Sequence, residues 1–197
     1  QCRIWGADPS NPWALAHGVE TYGAQFKAAD GRLAVDVMVD DFLEKRTNGE
    51  WFFPTTKNGV PVDPHRDHQV ATLVRAGLPY TRTFSPKSAP GEKVALGDLV
   101  EQLRKKLDPT APDLMREGAW TIEALAKVST GKQASWKNAA GKPVSMAQVM
   151  DRAASWITEQ HQFLDDARKQ GVPMVQKRKQ FIWSLPCGGF HHINAAW

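Results

Sequence analysis

The chain has 197 residues, 42% hydrophobic and 23% charged, with 25 Lys and Arg against 21 Asp and Glu. This is the balance of a folded globular domain rather than a disordered tail, and no apolar run reaches the roughly 18 to 20 residues that a bilayer span needs. The net charge of +4 gathers in "QKRKQ" at 176–180 and "RKK" at 104–106 instead of forming a stripe with stacking aromatics, so nucleic acid is a poor fit as a partner.

Helix signals dominate along the chain. Ser10 or Asn11 is placed to cap a helix over 12–22, with Pro12 in its first position, Trp13, Ala16, Val19 and Tyr22 on one face, and Gly23 as the stop. "FKAADGRLAV" reads as a hairpin turning at Asp30-Gly31, followed by a helix from an Asp36 cap to about Arg46, with Val39, Phe42 and Leu43 inward. "EWFFPTTKNGVPV" is a second hairpin, its turn at Asn58-Gly59, where both residues tolerate positive φ. Asp63 and Pro64 then open a helix that buries Val70, Leu73 and Val74 and stops at Gly77.

"TFSPKSAPGEK" at 83–93 is Pro-, Ser- and Gly-rich and is the one stretch that reads as a linker or long loop. Beyond it, Leu99, Val100, Leu103 and Leu107 mark an amphipathic helix ending in cations, which suit the negative end of the helix dipole. "WTIEALAKV" at 120–128 is apolar on most sides and therefore central, and "SWKNAAGKPV" is a third hairpin. Ser145 and Gln148 make a capping box for the longest helix, which runs to Gly171, and a last helix starts near Gly188. The expectation is a mainly α fold of about seven helices with two or three short hairpins, suggesting an α/α arrangement. It forms a single helical domain over 1–197, with any soft boundary in the loop 83–93.

Chemistry-bearing residues are few. His65 and His68 stand three apart in the expected first turn of the Asp63 helix, so their imidazoles share a side. The positive helix end favours neutral imidazole, the metal-binding form, which makes them a candidate zinc half-site; the alternative is a solvated first turn. Tetrahedral zinc would need Asp67, Cys187, His191 or His192 brought across in space.

Cys187 precedes Gly188-Gly189 at the expected start of the last helix, where backbone N–H groups lower a thiol pKa. With His191 or His192 as base it is a candidate nucleophile; the alternative is a tight turn holding a buried or bridged cysteine. Cys187 to His191 also carries the spacing of the haem-attachment motif C-x-x-C-H, with Phe190 in place of the second cysteine.

Cys2 and Cys187 are the only cysteines. In an exported protein they would form one bridge tying the ends of the chain, and Gln1 in first place fits a processed N-terminus. Trp51, Phe52 and Phe53, together with Lys177, Arg178, Lys179 and Trp183, are the aromatic and basic clusters suited to docking a partner protein. The adjacent carboxylates Asp40 and Asp41 read as a solvated face, and His17 as a core or rim histidine.

The stretches "PHRDHQVATLVRAGLP", "WTIEALA" and "CGGFHH" together resemble a set of uncharacterised bacterial proteins with segments of this kind in the same order. The resemblance implies no activity; it implies that Cys187, His191 and the helix from His65 belong to one structural unit. The functional expectation is a non-catalytic helical domain of the cell envelope, docked on a larger assembly. The alternative is a hydrolase or lyase with a metal or thiol site at His65, His68, Cys187 and His191, and a haem protein anchored at Cys187 and His191 stands outside both. No complete local catalytic motif such as H-E-x-x-H or G-x-S-x-G is present.

Overall fold

The structure, a computed structural model, describes residues 2–172. The chain divides into two compact units, Gln1–Leu107 and Asp108–Trp197. Among the described residues there are eight α-helices and four two-stranded antiparallel hairpins, so the fold is mainly α with short hairpins. None of these helices is long and apolar enough to cross a membrane.

The first unit opens with a helix that the sequence did not announce, α1 (Cys2–Gly6), followed by α2 (Pro12–Tyr22). Asn11, not Ser10, is the cap: its side chain accepts the Ala14 N–H at 3.0 Å, and Pro12 occupies a position whose N–H has no helical partner in any case. Ala14, Leu15, Ala16 and Val19 are buried, whereas Tyr22, expected inward, is half-exposed. Helix α1 lies on α2 through two glycines; a Cβ on Gly18 would come within 2.7 Å of the Gly6 carbonyl oxygen.

α3 (Ala34–Phe42) begins two residues before the expected Asp36 cap and ends well short of Arg46. The reason lies in the flanking pairings. Leu33 is held extended by a bridge to Lys27, and β1 (Glu44–Lys45) leaves the helix to pair with β2 (Trp51–Phe52). The expected second hairpin therefore divides: Trp51 and Phe52 pair backward, and only β3 (Thr56–Lys57) with β4 (Val60–Pro61) turns at Asn58-Gly59, where φ is +52° and +78°.

α4 (His68–Arg75) follows, then the hairpin of β5 (Thr83–Phe84) and β6 (Val94–Ala95), which leads directly into α5 (Leu96–Lys106). The stretch 83–93 is thus a hairpin loop inside the first unit, and the division falls at Leu107/Asp108. The loop is fastened to α3: Asp40 Oδ1 accepts the Ser85 N–H at 2.7 Å, the Asp40 carbonyl accepts the Lys87 N–H at 2.7 Å, and Asp41 pairs with Lys87 and Arg32. Asp40 and Asp41 are therefore binding posts for a loop rather than a solvated face. Leu15, Met38, Leu43, Leu73 and Leu96 are fully buried in the unit's core, each contributing about 1.5 to 3 kcal/mol of transfer free energy.

In the second unit, α6 (Leu114–Glu117) precedes α7 (Ala119–Val128), whose Trp120, Ile122, Ala124 and Leu125 are buried, in keeping with its apolar sequence. β7 (Ser135–Lys137) and β8 (Pro143–Ser145) form the expected third hairpin, and α8 (Met146–Lys169) starts on the expected capping box. Ser145 Oγ accepts the Gln148 N–H at 3.2 Å while Gln148 Oε1 accepts the Ser145 N–H at 3.1 Å. The helix expected near Gly188 lies outside the described residues.

Candidate functional site: a histidine and tryptophan cluster

The densest chemistry among the described residues of the first unit surrounds the N-terminus of α4. That helix starts at His68, with Asp67 in the left-handed region at φ +63°, so Pro64 to Asp67 form a turn ahead of the helix. Asp63 still serves the helix end: its buried Oδ1 accepts the Gln69 N–H at 3.2 Å, and the N–H groups of Asp67 and His68 also stabilise its charge. Burial first, and the charge of Asp67 second, push the Asp63 carboxyl well above the usual carboxylate range against those hydrogen bonds. The Gln69 side chain closes the turn by donating to the Val62 carbonyl at 2.5 Å.

The turn and the helix start together set His65 and His68 against one indole. The Trp13 ring centroid is 5.1 Å from that of His65, 4.7 Å from His68 and 4.6 Å from His17, and Trp5 meets His17 edge-on at 5.6 Å. His17 Nδ1–H donates to the Trp13 carbonyl at 2.8 Å, which fixes its tautomer when neutral. His68, 1% exposed, points Nε2 at Glu20 Oε1, 3.1 Å away. The same carboxylate oxygen accepts the Thr72 hydroxyl at 3.0 Å and lies 3.4 Å from Arg75 Nη1.

The electrostatics follow from this arrangement. Burial works to raise the Glu20 pKa but is overcome by the hydrogen bond and charge of His68, the charge of Arg75 and the Thr72 hydroxyl, which together lower it to about 2. The His68 pKa is lowered by burial, against the pull of Glu20. His65 is lowered by burial and then by the neighbouring charges of His68 and His17. Near neutral pH both are therefore neutral imidazoles, one hydrogen-bonded to an ionised carboxylate.

The structure brings the expected pair His65 and His68 together, but by a different route from a shared helix turn: one precedes the helix and the other begins it. Among the described residues, no group of three or more His, Cys, Asp or Glu side chains is arranged to hold a metal ion. His17, Glu20 and Trp13 were missed as members of the cluster. Their signal was present, since positions 13, 17 and 20 share one face of an α-helix. Cys187, His191, Lys177, Arg178, Lys179 and Trp183, and with Cys187 its expected bridge to Cys2, lie outside the described residues.

Trp51, Phe52 and Phe53 are half-buried rather than open. Lys45 Nζ sits 5.1 Å from the centroid of a Trp51 ring and the Arg46 guanidinium 4.5 Å from that of Phe52, each within cation–π range. Among the described residues, the large apolar side chains that stand in solvent are on α1 and α2: Ile4 is 80% exposed, Trp5 47% and Tyr22 48%. The Arg3 guanidinium lies 6.0 Å from the Tyr22 ring centroid, and the Tyr22 ring stacks on Phe26.

Comparison with family models, with curated proteins and with solved structures finds no match to this chain. The functional reading therefore rests on the side chains themselves.

Proposed function

We propose that the protein is a non-catalytic binding module of the cell envelope that docks on a partner protein through the α1–α2 face of its first unit. The observation that carries this reading is the exposure of Ile4, Trp5 and Tyr22 on two helices in direct contact. Singly exposed apolar residues are ordinary, but large aromatic and aliphatic side chains on adjoining elements mark interaction surfaces. Arg3 beside Tyr22 adds a cation at the rim, which suits a partner offering an apolar pocket edged by carboxylates. The hydrogen-bonded histidine cluster beneath Trp5 supports the same reading, since His17, His68 and Glu20 are engaged in joining α2 to α4.

A photo-crosslinking residue placed at Ile4 or Tyr22, in the cells that make the protein, tests the proposal. The expected result is a discrete protein adduct from both positions, lost in a Trp5→Asp background that keeps its helical circular dichroism. An identical adduct pattern from the exposed hairpin residue Asn58, or no adduct from Ile4 and Tyr22, would overturn it. Export belongs to the same proposal and has its own check: intact mass with and without reduction should show the Cys2–Cys187 bridge as a two-hydrogen deficit, and free thiols in the native protein would remove that support.

A further inference from the structure

Three helices of this chain share one construction that no constant sequence period reveals. Each begins at a residue that is also the last paired residue of a strand or bridge: Leu33 opposite Lys27, Ala95 opposite Thr83, and Ser145 opposite Ser135. A glycine with positive φ lies in the preceding turn each time, Gly31, Gly91 and Gly141, at +87°, +87° and +74°. The first helical residue is buried in all three (Ala34, Leu96, Met146), and so is the fourth (Val37, Leu99, Val149). The third carries a carboxylate or amide, Asp36, Asp98 or Gln148, and in the latter two it accepts the N–H of its own cap residue at 2.9 and 3.1 Å.

The seventh helical position makes the likeness specific. Its residues differ in chemistry, yet each uses its side chain to hold the backbone of a distant segment of the same unit. Asp40 accepts the Ser85 N–H at 2.7 Å, Gln102 Oε1 accepts the Trp51 N–H at 2.8 Å, and Arg152 Nη2 donates to the Ala111 carbonyl at 2.9 Å. Packing alone does not require this. A half-buried polar side chain three residues beyond the buried fourth position can be satisfied by water as well as by a remote peptide group. α4, which also follows a hairpin, lacks the pattern: its cap, Asp67, lies outside the strands of that hairpin and its seventh residue is Val74.

We propose that the chain is built on three copies of one hairpin-capped helix, at residues 27–42, 83–106 and 135–169, in which the seventh helical side chain is a positioning residue that fastens a loop or strand of its unit. The hairpin fixes where the helix starts, the third residue in the second and third copies accepts the N–H of the cap, and the seventh ties in a distant segment of the same unit. Gln102 in this way fixes the Trp51 end of the aromatic strand, and Asp40 closes the long loop of the second copy onto the first. The inference is independent of the docking face on α1 and α2.

Residue-resolved amide hydrogen exchange on the whole chain tests it. In the unaltered protein the Trp51 and Ser85 amides should exchange slowly; exchange as fast as that of an open loop would overturn the proposal without any variant. Gln102→Met, which keeps length but removes the acceptor, should accelerate exchange at Trp51 by about tenfold, the loss of one hydrogen bond, and leave core amides of α4 at their wild-type rates. Gln102→Glu, which restores an acceptor, should return Trp51 to slow exchange. Asp40→Leu against Asp40→Asn should behave likewise at Ser85, whose N–H the Asp40 carboxylate accepts. Acceleration spread evenly over all amides, or no rescue by the conservative member of each pair, would show ordinary helix packing in place of a shared positioning role.

Discussion

Helices α4 and α8 solve the same problem at their N-termini by opposite means. In α8 the orphan N–H groups are satisfied within four residues, by the reciprocal bonds of Ser145 and Gln148. In α4 the capping carboxylate, Asp63, sits five residues upstream, and a left-handed Asp67 turns the chain between them. That turn is kept in place from outside the helix, by Trp13 against His65 and His68 and by Glu20 on the His68 imidazole. A start of the first kind depends on its own side chains, whereas one of the second kind depends on α2.

Removing the shared indole should break that dependence most severely. Trp13→Ala takes away the ring against which three imidazoles pack and should lower stability by about 3 kcal/mol, the low end for a Trp truncation because the side chain is only partly buried. A denaturant midpoint series measures it, with exchange at the Val70 and Ala71 amides rising more than at Val149. If both helix starts loosen equally, the difference drawn between them is wrong.

Glu20→Ala should cost slightly less, about 2 to 3 kcal/mol, since it strands the buried His68 beside Arg75. It also sharpens the pH behaviour. His65 and His68 have lowered pKa values, so their contribution is fully present above about pH 6.5, the unfolded value, and is lost as pH falls through the native ones. Glu20, lowered to about 2, adds stability that is present above its ordinary 4.5 and lost on acidification toward that lower value. Asp63 runs the other way: its raised pKa favours the native state in acid and is lost as pH rises through the native value. Unfolding midpoints taken from about pH 8 down to pH 3 should fall in two stages in the wild type. His68→Gln should flatten the first stage and Glu20→Ala the second.

The same contrast explains what was legible in the sequence. The Asn58-Gly59 turn and the Ser145 capping box were readable because every group involved lies within a few residues. The mainly α architecture was readable because apolar spacing at α5, α7 and α8 reports burial directly. The start of α4 was misplaced because Asp63 and Pro64 form a good local helix opening that is overridden by Glu20, 48 positions away from His68. The end of α3 was misplaced for a similar reason: Glu44 and Lys45 continue a helical pattern, yet pair with Trp51 and Phe52. For the site, the His65 and His68 pair could be seen, while the carboxylate and indole that define its state came from a separate helix.

On the locally written side, Ser145→Ala should cost about 1 kcal/mol, the usual loss for an N-cap hydroxyl. The change should be confined to the first turn of α8, visible as faster exchange at Gln148 with Val149 and Ala153 little affected. Global loosening of the second unit would mean that this start too is supported from outside.

The smallest expected effect is a gain, and it asks whether a local start can be transplanted. α5 has half of the capping box of α8: Asp98 Oδ2 accepts the Ala95 N–H at 2.9 Å, but Ala95 offers no oxygen to return the bond. Its backbone at φ −88°, ψ 153° is in the extended region that a capping serine adopts, close to the −122°, 146° of Ser145. Ala95→Ser should complete the box and raise stability by about 0.5 to 1 kcal/mol, read as an upward shift in unfolding midpoint with slower exchange at the Asp98 amide. Because the hairpin of β5 and β6 already orders Ala95, the serine loses little conformational freedom in forming the bond, so the gain should survive in the folded protein. A neutral or negative result, with Ser145→Ala costing its full share, would mean that the two hairpin-capped starts differ in a way their backbone angles and third residues do not express.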